Sequence, residues 1–212
     1  MKKSFDLNLH CYRLLQDEPF FAALSRKVEK IADPSIPTAG VWVNPNSGVF
    51  EMRYNPEFMG GLPEEHIKGV LKHEFYHLIF DHVTTRKLWN IAADLAINSH
   101  IANELPETAC VPGRAPFEDL PLGMSAEWYL ANLPKQEEGE GEGSGEGSGD
   151  GEGDSEGSFD DHSGWEEASG SDASALAKER LKNAIKDAAQ EAAKSPKGFG
   201  SMSGELKQEI LK

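Results

Sequence analysis

The pattern of hydrophobic and polar positions predicts a mainly helical protein with one small β element. Residues 6–15 have the periodicity of a short helix, and a second helix is predicted from residue 17 to about Ile31. After a proline-containing break, the segments 40–43 and 49–54 have the composition of strands and flank a turn that contains Asn and Gly. These two segments are therefore predicted to form a β-hairpin.

Two longer helices are predicted after the hairpin. The first runs from about Pro63 to His82, because proline and the two glutamates that follow it favour the first turn of a helix. The second runs from 86 to 104 after a tight connection and is apolar nearly all round, which is typical of a buried helix. Further helices are predicted at 125–132, 172–194 and 203–212.

One segment has a composition that does not support a folded structure. Residues 135–171 consist largely of Gly, Ser, Glu and Asp, and eleven acids but no Lys or Arg lie between Glu137 and Asp161. Because the few apolar groups of this segment cannot offset the entropy of ordering, a disordered linker is predicted. It would separate a domain at 1–134 from a C-terminal helical segment at 172–212. The last helical pattern has no stop signal, which indicates a fragment of a longer protein.

Composition and charge argue against several classes of function. Most of the formal net charge of −15 lies in the acidic linker, and nucleic-acid binding is not expected because it needs a basic surface. Cys11 and Cys110 do not make a disulfide framework. Without a signal peptide or a run of about eighteen apolar residues, the prediction is a cytoplasmic protein outside the membrane. A protein partner could bind through the linker or the C-terminal helices.

The first long helix contains the spacing His-Glu-x-x-His, at His73, Glu74 and His77. Residues four apart lie on one helical face, so both imidazoles can reach one zinc ion. The glutamate between them can act as the general base for the metal-bound water. Two histidines could instead be surface residues, but the apolar surroundings predict a buried helix, where unpaired polar groups are costly.

A catalytic zinc ion usually has three protein ligands, and we predict Asp94 as the third. If the second long helix returns from a turn near residue 84, Asp94 lies level with His73 and His77. Asn90 and Asn98 lie one turn away on either side, and they are predicted to orient the ligands.

Two residues that follow the motif are poorer candidates for the third ligand. On a continued helix, His82 would lie about 140° around the axis from His77. Asp81 lies on the correct face, but it extends the straight row of the two histidines, which converges poorly on one ion. Asp94 could alternatively cap a neighbouring element or pair with Arg53 or Arg86.

Three segments together resemble a known family: the strand at 50–54, the motif segment 71–78 and the segment 89–98. They are similar to the metallopeptidase domain that precedes a von Willebrand A-like domain in bacterial and phage proteins. The acidic linker, residues 160–165 and the Ala-rich helix after them are similar to that family's layout. The resemblance implies zinc-dependent peptide-bond hydrolysis and an α+β, zincin-like fold, mainly helical with a small hairpin or sheet beside the motif helix.

The leading hypothesis is a zinc-dependent endopeptidase that acts on a protein or peptide substrate. The strand at 49–54 would be the sheet edge with which an extended substrate pairs. Tyr54, His100 and His162 are candidates for stabilising the transition state. Two alternatives are a catalytically silent zinc-binding scaffold that acts through partner proteins, and a metal-dependent hydrolase of a non-peptide bond.

Overall fold

The computed structural model describes residues 5–44, 46–82, 90–133 and 172–211. In chain order its elements are α1 (Leu7–Asp17), α2 (Pro19–Ser25), β1 (Glu29–Ala32), β2 (Ala39–Val43), β3 (Phe50–Tyr54), α3 (Pro56–Gly61), α4 (Glu64–Ile79), α5 (Asn90–Ile101), a 3-10 helix (Ala102–Glu104), α6 (Ala126–Asn132), α7 (Asp172–Lys194) and α8 (Gly204–Ile210). The fold is therefore mixed α+β, mainly helical with one small sheet, as predicted.

The sheet has three strands in the order β1-β3-β2. β2 and β3 pair antiparallel with Val41 opposite Met52, which confirms the predicted hairpin. β1 pairs in parallel with the other side of β3, with Lys30 opposite Met52. β3 is thus the central strand, and the prediction that it forms the edge that receives a substrate is wrong.

β1 was not predicted by the periodicity of the N-terminal segment. The helix expected to reach Ile31 ends at Ser25, where α2 stops, and residues 29–32 form a strand instead. Val28 and Ile31 fit a helical apolar face, but the backbone at Ile31 pairs with Arg53 of β3. A long-range strand pairing therefore overrides the local helical pattern.

α4 lies at the centre of the main hydrophobic core and is almost entirely buried from Ile67 to Leu78. Residues of α1, α2, the sheet and α7 surround it, among them Leu14, Phe20, Phe21, Val41, Met52 and Leu181. The helix begins where predicted but ends at Ile79 rather than His82. Asp81 then adopts φ 56°, a left-handed conformation that turns the chain away from the helix axis.

One glycine allows α4 to approach the 3-10 helix closely. A Cβ at Gly69 would lie 2.6 Å from the carbonyl carbon of Glu104, which is inside van der Waals contact. Since Gly69 precedes His73 by one helical turn, this close approach also positions the motif.

α5 packs against α6 in a second, smaller cluster built on Ala92, Leu95 and Tyr129. The side chain of Ser125 caps α6 by accepting a hydrogen bond from the Trp128 N–H. The Tyr129 hydroxyl donates to the Pro121 carbonyl over 2.6 Å. This cluster fixes the face of α5 opposite to the one that meets α4.

The C-terminal helices pack onto the N-terminal part of the chain. α7 lies along α2, and its buried residues belong to the main core: Ala177, Leu181, Ala184, Ala188, Ala189 and Ala192. The predicted linker at 135–171 lies outside the described residues, and the division into 1–134 and 172–212 stays a prediction. Among the helices of the described ranges, none combines the length and apolar character needed to cross a membrane.

Candidate metal centre

The helical spacing of the motif places two imidazoles side by side. The ring centroids of His73 and His77 are 4.5 Å apart, and their planes are inclined at 73°. Their Nε2 atoms lie 2.9 Å apart, and both side chains are fully buried. Residues i and i+4 of one helix share a face, so α4 alone determines this pairing.

Asp94 approaches the two histidines from the neighbouring helix α5. Its Oδ1 atom lies 3.1 Å from Nε2 of His77 and 3.8 Å from Nε2 of His73. Asp94 is 3% exposed. The structure therefore brings together the three residues that the sequence suggested as ligands, with all three ligand atoms within 4.8 Å of one another.

This donor set fits a divalent transition metal such as zinc. Ligand atoms of a tetrahedral zinc ion with bonds of about 2.0–2.2 Å lie about 3.3–3.6 Å apart. The three separations of 2.9, 3.1 and 3.8 Å bracket that value. A cation bound between them would also offset the cost of burying the carboxylate of Asp94.

Asn98 forms a hydrogen bond with Nδ1 of His73, the ring nitrogen that does not face His77. Nδ1 of His73 lies 2.7 Å from the Asn98 side-chain oxygen, which can only accept, so Nδ1 carries the proton and Nε2 presents its lone pair. The Asn98 amide nitrogen donates to the Cys110 carbonyl over 2.7 Å, which fixes the orientation of the amide. Asn98 therefore contacts His73, one of the predicted ligands, and its role in orienting a metal ligand stays a prediction.

Asn90 does not share this arrangement. Its side-chain oxygen is buried and has no hydrogen-bond partner among the described residues. Asn90 is the first residue of α5, one turn before Asp94. Its predicted role in orienting a ligand stays a prediction.

His82, which the sequence suggested only as a poor ligand candidate, contacts His77, the other histidine of the motif. Its Nδ1 atom lies 3.2 Å from Nδ1 of His77. The estimate of 140° from His77 assumed that the helix continues to His82, but the turn at Asp81 brings the ring back onto the helix end. Sequence reasoning missed this contact because nothing in the local pattern predicts a left-handed aspartate.

Comparison with known proteins agrees with this geometry. Residues 2–211 match the model of a family described as "Putative metallopeptidase domain". The chain belongs to this family. Searches of curated proteins and of solved structures found no match.

The His-Glu-x-x-His motif also contains Glu74, whose side chain is fully buried on α4. Glu74 directly follows His73 and precedes His77 by three residues, so it lies on the flank of the ligand face. A carboxylate at this position of the motif can serve as a general base. Its burial within the core contrasts with Glu64 and Glu65, which are exposed at the start of the same helix.

Tyr54, a candidate for stabilising the transition state, lies at the end of β3. Its ring packs edge-on against Phe5, with ring centroids 5.9 Å apart. Burial, followed by the charges of Asp6 and Cys11, raises the pKa of Tyr54. Its role in the transition state stays a prediction.

The two histidines suggested for the same role lie in different surroundings. His100 is exposed near the end of α5, and its ring centroid lies 6.4 Å from that of Tyr76. Tyr76 lies on α4 and is buried in the main hydrophobic core, with 1% of its surface exposed. His162 lies outside the described residues. A catalytic role for either histidine stays a prediction.

A buried ionic cluster is built on Lys72, the residue before His73 on α4, and was not predicted. Lys72, the neighbour of His73, is 1% exposed and lies 2.6 Å from Oε1 of Glu104 and 3.4 Å from Oε1 of Glu18. Ser201 joins the cluster by donating its hydroxyl and backbone N–H to Glu18. A lysine within an apolar helical run is the only sequence signal that could have indicated it.

Proposed function

We propose that this protein is a zinc-dependent metallopeptidase that hydrolyses peptide bonds within a zincin-like fold. The observation that carries the proposal is the convergence of His73, His77 and Asp94 in the core. His73 and His77 supply neutral imidazoles and Asp94 a carboxylate, which are typical ligands of catalytic zinc. Membership of the metallopeptidase family supports the reaction class.

In this proposal each residue has a distinct role. A bound zinc ion would supply Lewis acidity, which acidifies water and polarises a carbonyl group. Glu74 accepts a proton from the attacking water and later donates it to the leaving amine. His73, held by Asn98, and His77 keep their Nε2 lone pairs directed inward. Burial of all these side chains excludes bulk water and strengthens electrostatic interactions within the site.

The presence of Glu74 beside the two histidines favours an enzyme over a purely structural zinc protein. A structural zinc site is closed by four protein ligands and does not need a general base. Here three residues of the described part of the chain converge as ligands, and the carboxylate of Glu74 lies next to the two histidines on α4.

The proposal also locates the enzyme in the cytoplasm, in keeping with two free thiols, Cys11 and Cys110. A partner would bind at the acidic segment 135–171 or at the C-terminal helices.

The test separates metal binding from catalysis. We expect the purified protein to bind one equivalent of zinc and to cleave a proteome-derived peptide library, with chelator abolishing cleavage. Glu74→Gln should bind zinc as the wild type does and lower the cleavage rate by about 10²–10⁴-fold. Glu65→Gln, an exposed glutamate of the same helix, is the matched control and should cleave normally.

Three results would contradict parts of the proposal. Cleavage by Glu74→Gln at the wild-type rate would exclude Glu74 as the base. Stoichiometric zinc binding without cleavage of any peptide would favour the scaffold alternative. Full zinc affinity in Asp94→Ala would remove Asp94 from the ligand set.

A further inference from the structure

The end of α4 places an imidazole against the outer edge of a ligand histidine. α4 ends at Ile79, and the Asp81 N–H donates to the Leu78 carbonyl over 3.0 Å. Asp81 adopts φ 56°, which few residues other than glycine, asparagine and aspartate adopt readily. The chain thereby reverses, and His82 folds back toward the face of α4 that carries the motif.

The ring of His82 is held by stacking. It lies on the ring of Phe80 with centroids 5.6 Å apart and planes inclined at 27°. Phe80 in turn stacks on Tyr76, at 6.0 Å and 16°. Tyr76 is buried and packs edge-on against Phe21. Three stacked rings anchored in the core therefore limit the positions that His82 can take.

From this position His82 meets His77 on the side opposite to the metal centre. The two Nδ1 atoms lie 3.2 Å apart, and the ring planes are inclined at 68°. Nε2 of His77 faces Nε2 of His73 and the carboxylate of Asp94. For His77 to offer its Nε2 lone pair to a metal, its proton must be on Nδ1.

We infer that His82 is a positioning residue that accepts the Nδ1–H of His77 and holds His77 in the tautomer that binds metal. This inference rests on the proposed function, because it concerns the same metal centre. His82 then carries its own proton on Nε2. Asn98 has the same role for His73, because its side-chain oxygen lies 2.7 Å from Nδ1 of His73 and accepts that proton. Each ligand histidine thus has its own acceptor, from α5 in one case and from the turn after α4 in the other.

The effect on affinity follows from the role of such an acceptor. Groups that hold a ligand histidine through its second nitrogen typically change metal affinity by about 10–100-fold when removed. The substitution His82→Phe keeps an aromatic ring for stacking on Phe80 and removes the ring nitrogens, the acceptor Nδ1 among them. His82→Gln offers a side-chain oxygen in place of the ring nitrogen.

The experiment measures zinc affinity by competition with a chromogenic chelator, and the tautomer of His77 by ¹⁵N NMR of the metal-free protein. We expect His82→Phe to weaken zinc binding by about 10–100-fold and to alter the Nδ1–H signal of His77. His82→Gln should recover part of the affinity. His10→Phe is the matched control, since His10 stacks on Phe5 at 5.2 Å in the same way but lies on α1, outside the metal centre. Circular dichroism checks that each variant folds.

The possible outcomes are distinguishable. Unchanged zinc affinity and an unchanged His77 signal in His82→Phe would overturn the inference and leave the proposed function intact. Equal weakening in His82→Phe and His82→Gln, with the Nδ1–H signal of His77 unchanged, would also overturn it, because His82 would then act only by packing. Failure of the wild-type protein to bind zinc would overturn both the inference and the proposed function.

Discussion

The ammonium group of Lys72 lies 2.6 Å from Oε1 of Glu104, and this ion pair joins α4 to the 3-10 helix at the residue that precedes His73 in the chain. Lys72 is 1% exposed, so it is shielded from water on nearly all sides. It also pairs with Glu18, which is equally buried. The metal centre and this cluster thus occupy adjacent positions on α4, and the cluster ties the helix to two other parts of the chain.

Removing the charge of Lys72 should destabilise the protein strongly. Lys72→Met leaves the carboxylate of Glu18 buried with less compensating charge, which typically costs about 3–5 kcal/mol when a buried pair is broken. Lys68→Met is the matched control, because Lys68 approaches the same Glu18 at 3.4 Å but is 34% exposed. Its loss should cost no more than about 1 kcal/mol. Urea denaturation measures both, and equal losses would contradict the assignment.

Adding one methyl group to α4 should disturb both stability and the metal centre. The Cβ of Gly69→Ala would meet the backbone of Glu104, and such overpacking typically costs about 1–3 kcal/mol. We expect lower thermal stability and weaker zinc binding, since α4 must be displaced at residue 69, which lies one helical turn before His73. Gly61→Ala is the control, because a Cβ at Gly61, also within a helix, meets nothing within 4 Å. If Gly69→Ala melts at the same temperature as the wild type, α4 can shift to accommodate the methyl group without loss of stability, which would contradict this prediction.

The two asparagines of α5 should differ in their effect on zinc. Asn98→Leu removes the acceptor of His73 and the bond to the Cys110 carbonyl, and should weaken zinc binding by about 10–100-fold. Asn90→Leu removes an oxygen that has no partner in the described part of the chain. It should leave zinc affinity near that of the wild type. Chelator competition measures both, and the reverse order would show that Asn90 is the orienting residue.

The buried ion pairs should make stability depend on pH. Burial alone raises the pKa of Glu18, but the hydrogen bond from Ser201 and the charges of Lys72 and Lys68 outweigh it, so the pKa of Glu18 is lowered. A carboxyl group whose pKa is lower in the folded state stabilises the protein above its ordinary pKa of about 4.3. This contribution is lost as the pH falls through the lowered value.

The measurement compares free energies of unfolding at several pH values from 6 down to about 3 in the presence of chelator, which removes any contribution of a bound metal. Wild-type stability should fall more steeply on acidification than that of Glu18→Gln. Glu65→Gln, at an exposed position, should follow the wild type. Parallel curves for the wild type and Glu18→Gln would contradict the lowered pKa of Glu18.

Local sequence signals predicted most of the elements because those elements depend on contacts between near neighbours. The hairpin, the start of α4 and the extent of α7 agree with periodicity and capping. His73 and His77 share one face because the helix has 3.6 residues per turn, whatever surrounds it. The pattern also singled out Asp94, since a carboxylate on an apolar helix needs a partner, and the structure brings Asp94 to the two histidines.

Tertiary structure alone decided the remaining features, because each depends on residues that are distant along the chain or on one backbone conformation. β1 forms because it pairs with β3 across the sheet, and this pairing also makes β3 central. Lys72 is buried because Glu18 and Glu104 reach it from distant segments. His82 reaches His77 only because Asp81 turns the chain at the end of α4. The sequence by itself determined which groups could bind a metal, and the packing of α4 against α5 and the turn after α4 decided which of them meet.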